Sequence, residues 1–221
     1  MWEGLKVKGI KPYYEDESVI IINDDCRNVL PLLDDKSIDL VLTDPPYPSY
    51  LQQEYRYSDG LLESVVDSLG CRQFIFWTPS TPFPLSYSGK RIWDKAVGTN
   101  TQFEEIYERN RASGYKIHRY YSMGCFSSVG AQMTGETVTG HPSQKPFGLM
   151  CALIKDTDAN LILDPFLGSG TTAYCAKKLG RKCIGIEIEE DYCRIAARRC
   201  AQEILPLDIP ITYSEKQEQM I

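Results

Sequence analysis

Short apolar runs alternate with helix-like segments along this chain of 221 residues, and this alternation limits the folds that the chain can adopt. Apolar runs of a few residues, bounded by polar turn residues, are typical of buried strands. The segments between them repeat apolar residues at helical spacing. Strands that alternate with helices predict a parallel sheet in an α/β fold. The predicted strands cover residues 18–22, 38–43, 73–78, 160–163 and 182–188, and the predicted helices cover residues 27–33, 61–69, 147–154, 171–179 and 189–204.

The middle of the chain has a different texture. Residues 80–140 contain many Pro, Ser, Thr and Gly residues and show little periodicity. Irregular insertions of this kind often carry specificity. We therefore predict one domain made of residues 1–79 and 141–205, into which residues 80–140 are inserted as a variable lobe. Residues 206–221 are polar and predict a loose C-terminal tail. Within the lobe, the segments that have the pattern of regular structure are residues 91–95, 103–109 and 115–121.

Composition argues for a globular protein of the cytoplasm. Hydrophobic residues make up 43% of the chain, which is ordinary for a folded domain with a sizeable core. No apolar stretch reaches the roughly 18 residues that a membrane span needs, and the N-terminus lacks the apolar core of a signal peptide. The eight cysteines include no Cys-x-x-Cys pair, so we expect no metal site. We therefore expect a cytoplasmic protein with no membrane partner.

Charge gives a mixed indication about nucleic acid. The net charge of −6 does not favour a nucleic-acid-binding protein, which usually has a basic surface. Four basic residues nevertheless cluster within the predicted lobe, with tyrosines interleaved: Arg109, Arg111, Lys116 and Arg119. Such a cluster is either a solvated face of the protein or a surface that contacts phosphates.

A tetrapeptide directly after the second predicted strand combines an acid, two prolines and an aromatic ring: Asp44, Pro45, Pro46 and Tyr47. Because open α/β sheets bind their ligands at the carboxyl ends of the strands, this position favours a binding role. The prolines fix φ and remove two N–H donors, so the loop is stiff and its carbonyl groups are free. A carboxylate, free carbonyls and a flat ring suit a site that holds a planar base by its amino group. The alternative is an ordinary turn, in which these residue types are also frequent.

A second candidate site is the segment FLGSG, which runs from Phe166 through Gly168 to Gly170 between a predicted strand and a predicted helix. Glycines let the backbone approach a ligand closely, and the first N–H groups of a helix that begins at Thr171 favour a carboxylate. Glu187 ends the next strand, where an acid can accept hydrogen bonds from both hydroxyls of a ribose. The alternative is a loop whose glycines only permit tight packing.

The same segment excludes two common kinds of nucleotide site. It lacks the full GxGxxG of a dinucleotide site, and it lacks the lysine of a phosphate-binding loop. A ligand that contains adenosine and a carboxylate but no phosphate fits the pattern better. S-adenosylmethionine is such a ligand.

Three motifs, in their order, resemble those of the beta group of amino DNA methyltransferases. They are DPPY at residues 44–47, HPSQKP at residues 141–146 and FLGSG at residues 166–170. The segment RIWDK at residues 91–95 also resembles the W-x-K strand of that family. The resemblance covers most of residues 18–200, and residues 80–140 match only loosely. It implies a Rossmann-like, S-adenosylmethionine-dependent methyltransferase fold with a mostly parallel central sheet, helices on both faces and a permuted motif order.

The resemblance also implies roles for individual residues. Asp25 would contact the adenine of the cofactor, and Lys145 and Pro146 would line its methionine end. Asp164 would hold the cofactor loop or the methionine amine. The alternatives are that Asp25 caps the first predicted helix and that Lys145 is a surface lysine. The remaining cofactor-binding residues would be Phe166, Gly168, Gly170, Thr171 and Glu187.

The resemblance implies direct methyl transfer without a metal ion. An exocyclic amine is a poor nucleophile, because its lone pair is delocalised into the base. The Asp44 carboxylate and the Pro45 carbonyl would accept hydrogen bonds from the two N–H groups of the amine, and Tyr47 would stack on the base. The carboxylate would also stabilise the positive charge that develops on the nitrogen. Since the amine lies inside a duplex, the base must be flipped into the site, and the basic cluster would contact the phosphates.

An acid in the first position of the catalytic loop accompanies adenine more often than cytosine in this family. We therefore expect a site-specific DNA methyltransferase that modifies N6 of adenine. The alternatives are a cytosine-N4 DNA methyltransferase, an RNA methyltransferase and a catalytically silent nucleic-acid-binding protein on the same fold. The expected partner is double-stranded DNA, whereas a homodimer and a restriction endonuclease partner stay open. The compact chain would suit a bacterial orphan enzyme or one that a phage or prophage encodes.

Overall fold

The computed structural model describes residues 11–46, 60–95, 103–111, 114–120 and 144–202. These ranges contain nine β-strands and five α-helices. The strands are β1 Tyr14–Glu15, β2 Val19–Asn23, β3 Leu40–Thr43, β4 Arg72–Trp77, β5 Gly89–Asp94, β6 Phe103–Arg109, β7 Lys116–Arg119, β8 Leu161–Asp164 and β9 Lys182–Glu187. The helices are α1 Cys26–Val29, α2 Leu61–Val66, α3 Phe147–Lys155, α4 Thr171–Lys178 and α5 Glu190–Ala201, and short 3-10 turns cover Leu30–Leu32 and Asp35–Ser37.

The five strands and five helices that the sequence predicts outside the lobe are confirmed, with small differences at their ends. The first helix is shorter than its periodicity predicts, because α1 ends at Val29 and a 3-10 turn continues to Leu32. Pro31 lies at the start of that turn, and a proline cannot donate the hydrogen bond that an α-helix requires. Within the described ranges, no helix has the length and apolar character that crossing a bilayer requires.

The nine strands form one sheet in the order β1-β2-β9-β8-β3-β4-β6-β5-β7. The five strands β2, β9, β8, β3 and β4 run parallel to one another, whereas β1 and β6 run antiparallel to their neighbours. The chain leaves β8 toward β9 on one side and leaves β3 toward β4 on the other. The topological switch point therefore lies between β8 and β3, where α/β folds open a crevice for ligands. We call the side of the sheet at which these five parallel strands end the carboxyl edge.

Helices cover both faces of the sheet, as the α/β pattern predicts. On one face α3, α4 and α5 pack against the strands, and Leu153 and Ala196 belong to this core. On the other face α1 and α2 pack against the strands, and Val29 belongs to that core. Successive strand residues point to opposite faces, so Ile21 and Ile22 of β2 enter different cores. Burial on both faces explains why the central strands are apolar at nearly every position.

The described part of residues 80–140 continues the central sheet, which corrects the prediction of a separate inserted lobe. β6 pairs with β4, and β5 and β7 extend the sheet beyond β6. Trp93 of β5 packs edge-on against Phe76 of β4, with ring centroids 6.4 Å apart, and both residues belong to the same core.

The outer strands coincide with the three segments of regular structure that the sequence indicates within the lobe, but buried charges make it difficult to recognise them as strands of the core. Arg91 of β5 is 1% exposed and forms an ion pair with Glu108 of β6, which is fully buried. An arginine and a glutamate at inward positions break the alternation of apolar and polar residues by which a strand is detected. Residues 121–140 of the predicted lobe and the predicted tail at residues 206–221 lie outside the described residues.

Candidate active site

Two loops singled out by the sequence meet at the carboxyl edge. Asp44 directly follows β3, and residues 166–170, which we call the glycine loop, follow the neighbouring strand β8. A hydrogen bond joins the two strand ends, because the Thr43 hydroxyl donates to Asp164 Oδ1 at 2.7 Å. The two loops therefore flank the crevice at the switch point, where both can contact one ligand.

Asp164 connects the glycine loop to the sheet. Its buried carboxylate accepts hydrogen bonds from the Thr43 hydroxyl, from the Thr172 hydroxyl at 2.6 Å and from the Phe166 backbone N–H at 3.1 Å. Burial raises the pKa of Asp164 to about 6, although these hydrogen bonds act in the opposite direction, and the charge of nearby Asp44 raises it further. The contacts described for Asp164 are those of a residue that holds the loop.

Positive φ angles and a close approach to α5 shape the glycine loop. Gly168 has a φ of 53° and Gly170 has a φ of 78°, in the left-handed region that favours glycine. A Cβ atom on Gly170 would lie 2.6 Å from the Cβ of Ala196 in α5. One turn further along α5, the buried Arg199 donates to the Thr171 hydroxyl at 2.8 Å. Helix α5 therefore supports both the loop and the first turn of α4.

Glu187 lies on the other side of the glycine loop, at the end of β9. Its Oε2 accepts the Gly168 N–H at 2.7 Å, and its Oε1 accepts the Glu189 N–H at 2.9 Å. The side chain is buried, and burial raises its pKa. Because a carboxylate oxygen can accept more than one hydrogen bond, each oxygen retains capacity for a hydroxyl group. The backbone hydrogen bonds thus orient an acid that is suited to a diol such as that of ribose.

Asp25 lies at the carboxyl edge too, directly before α1. Its carboxylate accepts the Arg27 backbone N–H at 2.9 Å and pairs with the Arg27 guanidinium at 2.5 Å. These contacts with Arg27 lower the pKa of Asp25. The capping role that the sequence offers as an alternative is therefore confirmed, whereas a contact with the adenine of a cofactor stays a prediction.

Asp44 has one carboxylate oxygen in an ion pair and one that remains available. Its Oδ2 accepts a hydrogen bond from the ammonium group of Lys145. Its Oδ1 is buried, and no donor in the described part of the chain reaches it. Burial raises the pKa of Asp44, the charge of Lys145 acts against this effect, and the charge of Glu104 adds to it. Since buried polar atoms are nearly always hydrogen-bonded, Oδ1 is an acceptor suited to a ligand.

The rest of the DPPY motif is described only in part. Pro45 is buried and Pro46 is partly exposed, and both directly follow Asp44. Tyr47 lies outside the described residues, so its role in stacking on a base stays a prediction.

Lys145 reaches Asp44 from the segment before α3. Only 6% of this residue is exposed, so the alternative of a surface lysine is wrong. Its ammonium group contacts Asp44, lies 3.4 Å from Glu104 Oε2 and lies 5.2 Å from the centre of the Phe76 ring. The neighbouring Pro146 is buried and precedes the first turn of α3. A contact of Lys145 or Pro146 with the methionine end of a cofactor stays a prediction.

Two further charged residues near Asp44 escape sequence reasoning. Glu104 lies near the start of β6 and pairs at 2.7 Å with Lys95, which directly follows β5. Both fall in the region that its composition presents as a variable lobe. The one local signal is the W-x-K pattern at residues 93–95, and that pattern does not connect Lys95 with a distant acid.

Arg109 does not belong to a nucleic-acid-binding surface, which corrects the prediction made for it. The residue is 5% exposed. Its guanidinium donates to Asp67, to Gln73 and to the Ser86 carbonyl. A guanidinium that is buried and bonded in this way is not accessible to a phosphate.

The sheet separates the other three residues of the predicted basic cluster. Because β7 runs parallel to β5, Arg119 at its end lies at the carboxyl edge and Lys116 at its start lies at the opposite edge. Arg111 follows the end of the antiparallel β6, so it also lies at the opposite edge. Within the predicted cluster, only Arg119 lies at the edge that carries Asp44.

Comparison with known proteins gives these features a family. The sequence model of the DNA methylase family, of the N6/N4 type, matches residues 73–198, which are more than half of the chain. The chain belongs to this DNA methylase family. The matched range includes the glycine loop, Lys145 and Glu187, while the Asp44 loop precedes it.

Individual relatives agree with the DNA methylase assignment. The type II methyltransferase M2.LlaDCHI of Lactococcus lactis subsp. cremoris is 28% identical over 254 residues, which cover 86% of this chain and 91% of the relative. The PvuII DNA methyltransferase, described as cytosine-N4-specific, has a similar structure with a TM-score of 0.66 at 16% identity, over 91% of this chain and 92% of that one. A complex of M1.HpyAVI with SAM is similar with a TM-score of 0.57 at 20% identity, over 83% and 99% of the two chains. The methyltransferase fold that the motifs predict is thereby confirmed.

Proposed function

We propose that this chain methylates N6 of adenine at specific sites in double-stranded DNA, with S-adenosylmethionine as the methyl donor. Membership of the DNA methylase family supports methyl transfer to DNA. The observation that carries the proposal is the free acceptor on Asp44, because its buried Oδ1 receives no hydrogen bond from the described residues. Asp44 directly follows Thr43, whose hydroxyl donates to Asp164 next to the glycine loop. The amino group of a flipped base would supply the donor that this oxygen lacks.

The residues around the glycine loop fit S-adenosylmethionine. Glu187 has acceptor capacity left for the two ribose hydroxyls, and the N–H groups in the first turn of α4 suit the carboxylate of the methionine part. Gly168 and Gly170 carry no side chain, so the cofactor can approach the backbone closely. The proposed cofactor-binding residues are Asp25, Pro146, Asp164, Phe166, Gly168, Gly170, Thr171 and Glu187.

The protein contributes position and charge to the reaction. S-adenosylmethionine, when bound, would supply a methyl group on a positively charged sulfur: the carbon–sulfur bond would break as the carbon–nitrogen bond forms, a neutral thioether would leave, and the methylated amine would release one proton. Asp44 Oδ1 and the Pro45 carbonyl would accept hydrogen bonds from the two N–H groups of the amine, which would leave its lone pair free to face the methyl donor. Positive charge develops on the amine nitrogen in the transition state, and the ionised carboxylate of Asp44 stabilises it. Alignment of the reacting groups supplies a large part of the rate.

Adenine is the proposed base because an aspartate occupies the first position of the DPPY motif. Cytosine is the second candidate, and the similarity in fold to the cytosine-N4-specific PvuII methyltransferase favours it. Both bases carry an exocyclic amine, so the contacts proposed for Asp44 and Pro45 apply to either. The similarity to a type II methyltransferase supports a role in restriction and modification.

Contact with the DNA backbone is proposed for Arg119. Flipping the base costs a few kcal/mol, which contacts to the rest of the duplex must offset. Arg119 lies at the carboxyl edge with 74% of its side chain exposed, beside its ion-pair partner Asp94. A cation at this position can reach a phosphate while the base occupies the crevice.

Asp44→Asn tests the proposal, because the amide keeps the shape of the side chain and removes its charge. The variant cannot stabilise positive charge on the amine, so we expect DNA methylation to fall by about 100-fold or more. Cofactor affinity, measured by calorimetry, should change by less than about threefold, because the contact is made to the amine. Activity is measured as transfer of labelled methyl groups to DNA, RNA and protein in parallel, followed by nucleoside analysis.

Asp158→Asn is the matched control, since Asp158 is exposed in the turn before β8 and should tolerate the same change with full activity. Label recovered as N4-methylcytosine would show that the target base is cytosine and not adenine. The assignment of the site residues would then stand. Label in RNA or protein but not in DNA would refute the proposal. Near-full activity of Asp44→Asn would show that the charge of Asp44 is not needed for methyl transfer.

A further inference from the structure

Four charged side chains of alternating sign extend from the proposed catalytic acid across the carboxyl edge: Asp44, Lys145, Glu104 and Lys95. We call them the charge row. Lys145 forms an ion pair with Asp44 and lies 3.4 Å from Glu104 Oε2, and Lys95 lies 2.7 Å from Glu104 Oε1. The four residues follow β3, precede α3, lie in β6 and follow β5, so only the tertiary fold brings them together.

The charge row is largely shielded from water. Side-chain exposure is 7% for Lys145, 10% for Glu104, 16% for Lys95 and 21% for Asp44. Charges that lose hydration to this extent regain it only in part through ion pairing, so well-packed apolar side chains would stabilise the fold as well or better. A shielded row of charges that ends on a proposed catalytic residue therefore indicates a role in the chemistry.

Aromatic rings hold the ammonium group of Lys145 in position. It lies 5.2 Å from the centre of the Phe76 ring and 6.0 Å from that of the Trp93 ring, and these rings meet edge to face. The Trp93 indole N–H donates to the Tyr120 carbonyl at 2.9 Å, which fixes the orientation of that ring. Aromatic rings attract a cation at such distances. The contact between Lys145 and Asp44 is thus part of a built arrangement.

Lys145 and Glu104, the two middle members of the charge row, have opposite effects on the pKa of Asp44. Burial raises the pKa of Asp44, the charge of Lys145 lowers it, and the charge of Glu104 raises it. Lys95 also lowers it, and Asp164 is the other acid that interacts with Asp44. A protonated Asp44 would be unable to stabilise positive charge on an attacking amine, so the balance between Lys145 and Glu104 controls the reactive form.

We propose that Lys145 is a positioning residue for methyl transfer: it holds Oδ2 of Asp44, leaves Oδ1 for the target amine and keeps the carboxylate ionised, while Glu104 moderates the effect by sharing the ammonium group. The inference rests on the catalytic role proposed for Asp44. It differs from the role that the family resemblance implies for Lys145, since a residue that lines the cofactor would control cofactor affinity.

The pH dependence of single-turnover methylation tests the inference, because two variants should change it in opposite directions. Lys145→Met keeps an unbranched side chain near the two rings and removes the charge, so the acidic limb of the profile should move to higher pH. The rate at pH 6 should then fall about tenfold more than the rate at pH 8. Glu104→Gln removes a negative charge near Asp44, so the acidic limb should move to lower pH. Lys145→Arg keeps the charge, so its acidic limb should lie close to that of the unsubstituted protein.

The chain offers a matched control on the same two strands. Lys90 of β5 pairs with Glu105 of β6 at 2.9 Å. Because neighbouring residues of a strand point to opposite faces, Glu105 is directed away from the side of Glu104. Lys90→Met and Glu105→Gln should leave the acidic limb in place. Thermal unfolding checks that each variant is folded, and Glu104→Gln decides the question if Lys145→Met is not.

The possible results separate the inference from the proposed function. Opposite movements of the acidic limb, with the KM for S-adenosylmethionine unchanged within about threefold, would support the inference. An equal loss of rate at every pH in both variants would overturn it, since the charge row would then only support the fold. A raised KM with an unmoved acidic limb would also overturn it and return Lys145 to the cofactor site. A fully active Asp44→Asn variant would instead refute the function proposed for Asp44.

Discussion

Substitution of Gly170 by alanine has a cost that follows from the geometry of the glycine loop. Gly170 has a φ of 78°, and an added Cβ would lie 2.6 Å from the Cβ and 2.9 Å from the Cα of Ala196. An L-residue in the left-handed region costs about 1–2 kcal/mol. Overpacking adds about 1–3 kcal/mol. We therefore expect Gly170→Ala to lower the free energy of unfolding by about 2–5 kcal/mol.

Gly180→Ala separates the backbone contribution from the steric one. Gly180 lies beyond the end of α4 with a φ of 67°, and an added Cβ would have no heavy atom of the described structure within 4 Å. Its substitution should cost only the backbone term of about 1–2 kcal/mol. The difference between the two variants, about 1–3 kcal/mol, then measures how firmly α5 packs against the glycine loop.

Urea unfolding monitored by circular dichroism gives both free energies, provided that the m-value is unchanged. Ala196→Gly removes the closest contact, so in a double-mutant cycle it should recover about 1 kcal/mol or more of the loss in Gly170→Ala. Calorimetry should show weaker binding of S-adenosylmethionine by Gly170→Ala than by Gly180→Ala, because only the former displaces the loop. Equal destabilisation by the two alanines, with no coupling to Ala196, would refute this reasoning.

Two further predictions concern buried acids of the site. The pKa of Asp164 is about 6 in the folded chain, against 3.8 for an exposed aspartate. Between these two pH values the folded chain binds more protons than the unfolded chain. The free energy of unfolding therefore falls by about 3 kcal/mol as the pH rises from the lower value to the higher one. Asp164→Asn should flatten this dependence in urea unfolding at pH 4.5 and pH 7, and an unchanged slope would contradict the prediction. Glu187→Gln leaves the backbone N–H of Gly168 or Glu189 without its acceptor, at a cost of about 1–3 kcal/mol. It should also weaken binding of S-adenosylmethionine by about tenfold in calorimetry, whereas the exposed control Glu189→Gln should not, and equal affinities would argue against the ribose contact.

The part of the proposed site around the glycine loop is largely predictable from the sequence. Strand β8, the glycine loop, α4, β9 and Glu187 follow one another without interruption, and each has a local signature. An apolar run marks a strand, and helical spacing marks a helix. Glycines at Gly168 and Gly170 mark a turn that needs positive φ. These signatures depend on residues that are adjacent in the chain, so the structure agrees with them closely.

The surroundings of Asp44 are predictable only in part. The apolar run before Asp44 is enough to place it at the carboxyl edge. Its partner Lys145 lies 101 residues further along the chain, and no local pattern connects the two. Arg109 shows the same limitation in reverse, since it reads as part of a basic surface and is buried against Asp67 and Gln73. The side chain that a charge pairs with depends on strand order, which local patterns do not contain.

Periodicity and turn residues in this chain are sufficient for a parallel α/β sheet with two loops at its carboxyl edge, because both features arise from neighbours along the chain. They are also sufficient to bring Asp44 and the glycine loop to that edge. The charged residues that surround Asp44 are not determined by neighbours along the chain. β6 returns beside β4 and carries Glu104 to the carboxyl edge, where Lys145 arrives from the segment before α3. The partner of a buried charge is set by which elements lie next to it in space. Elements that are distant in the sequence become neighbours only when the sheet assembles.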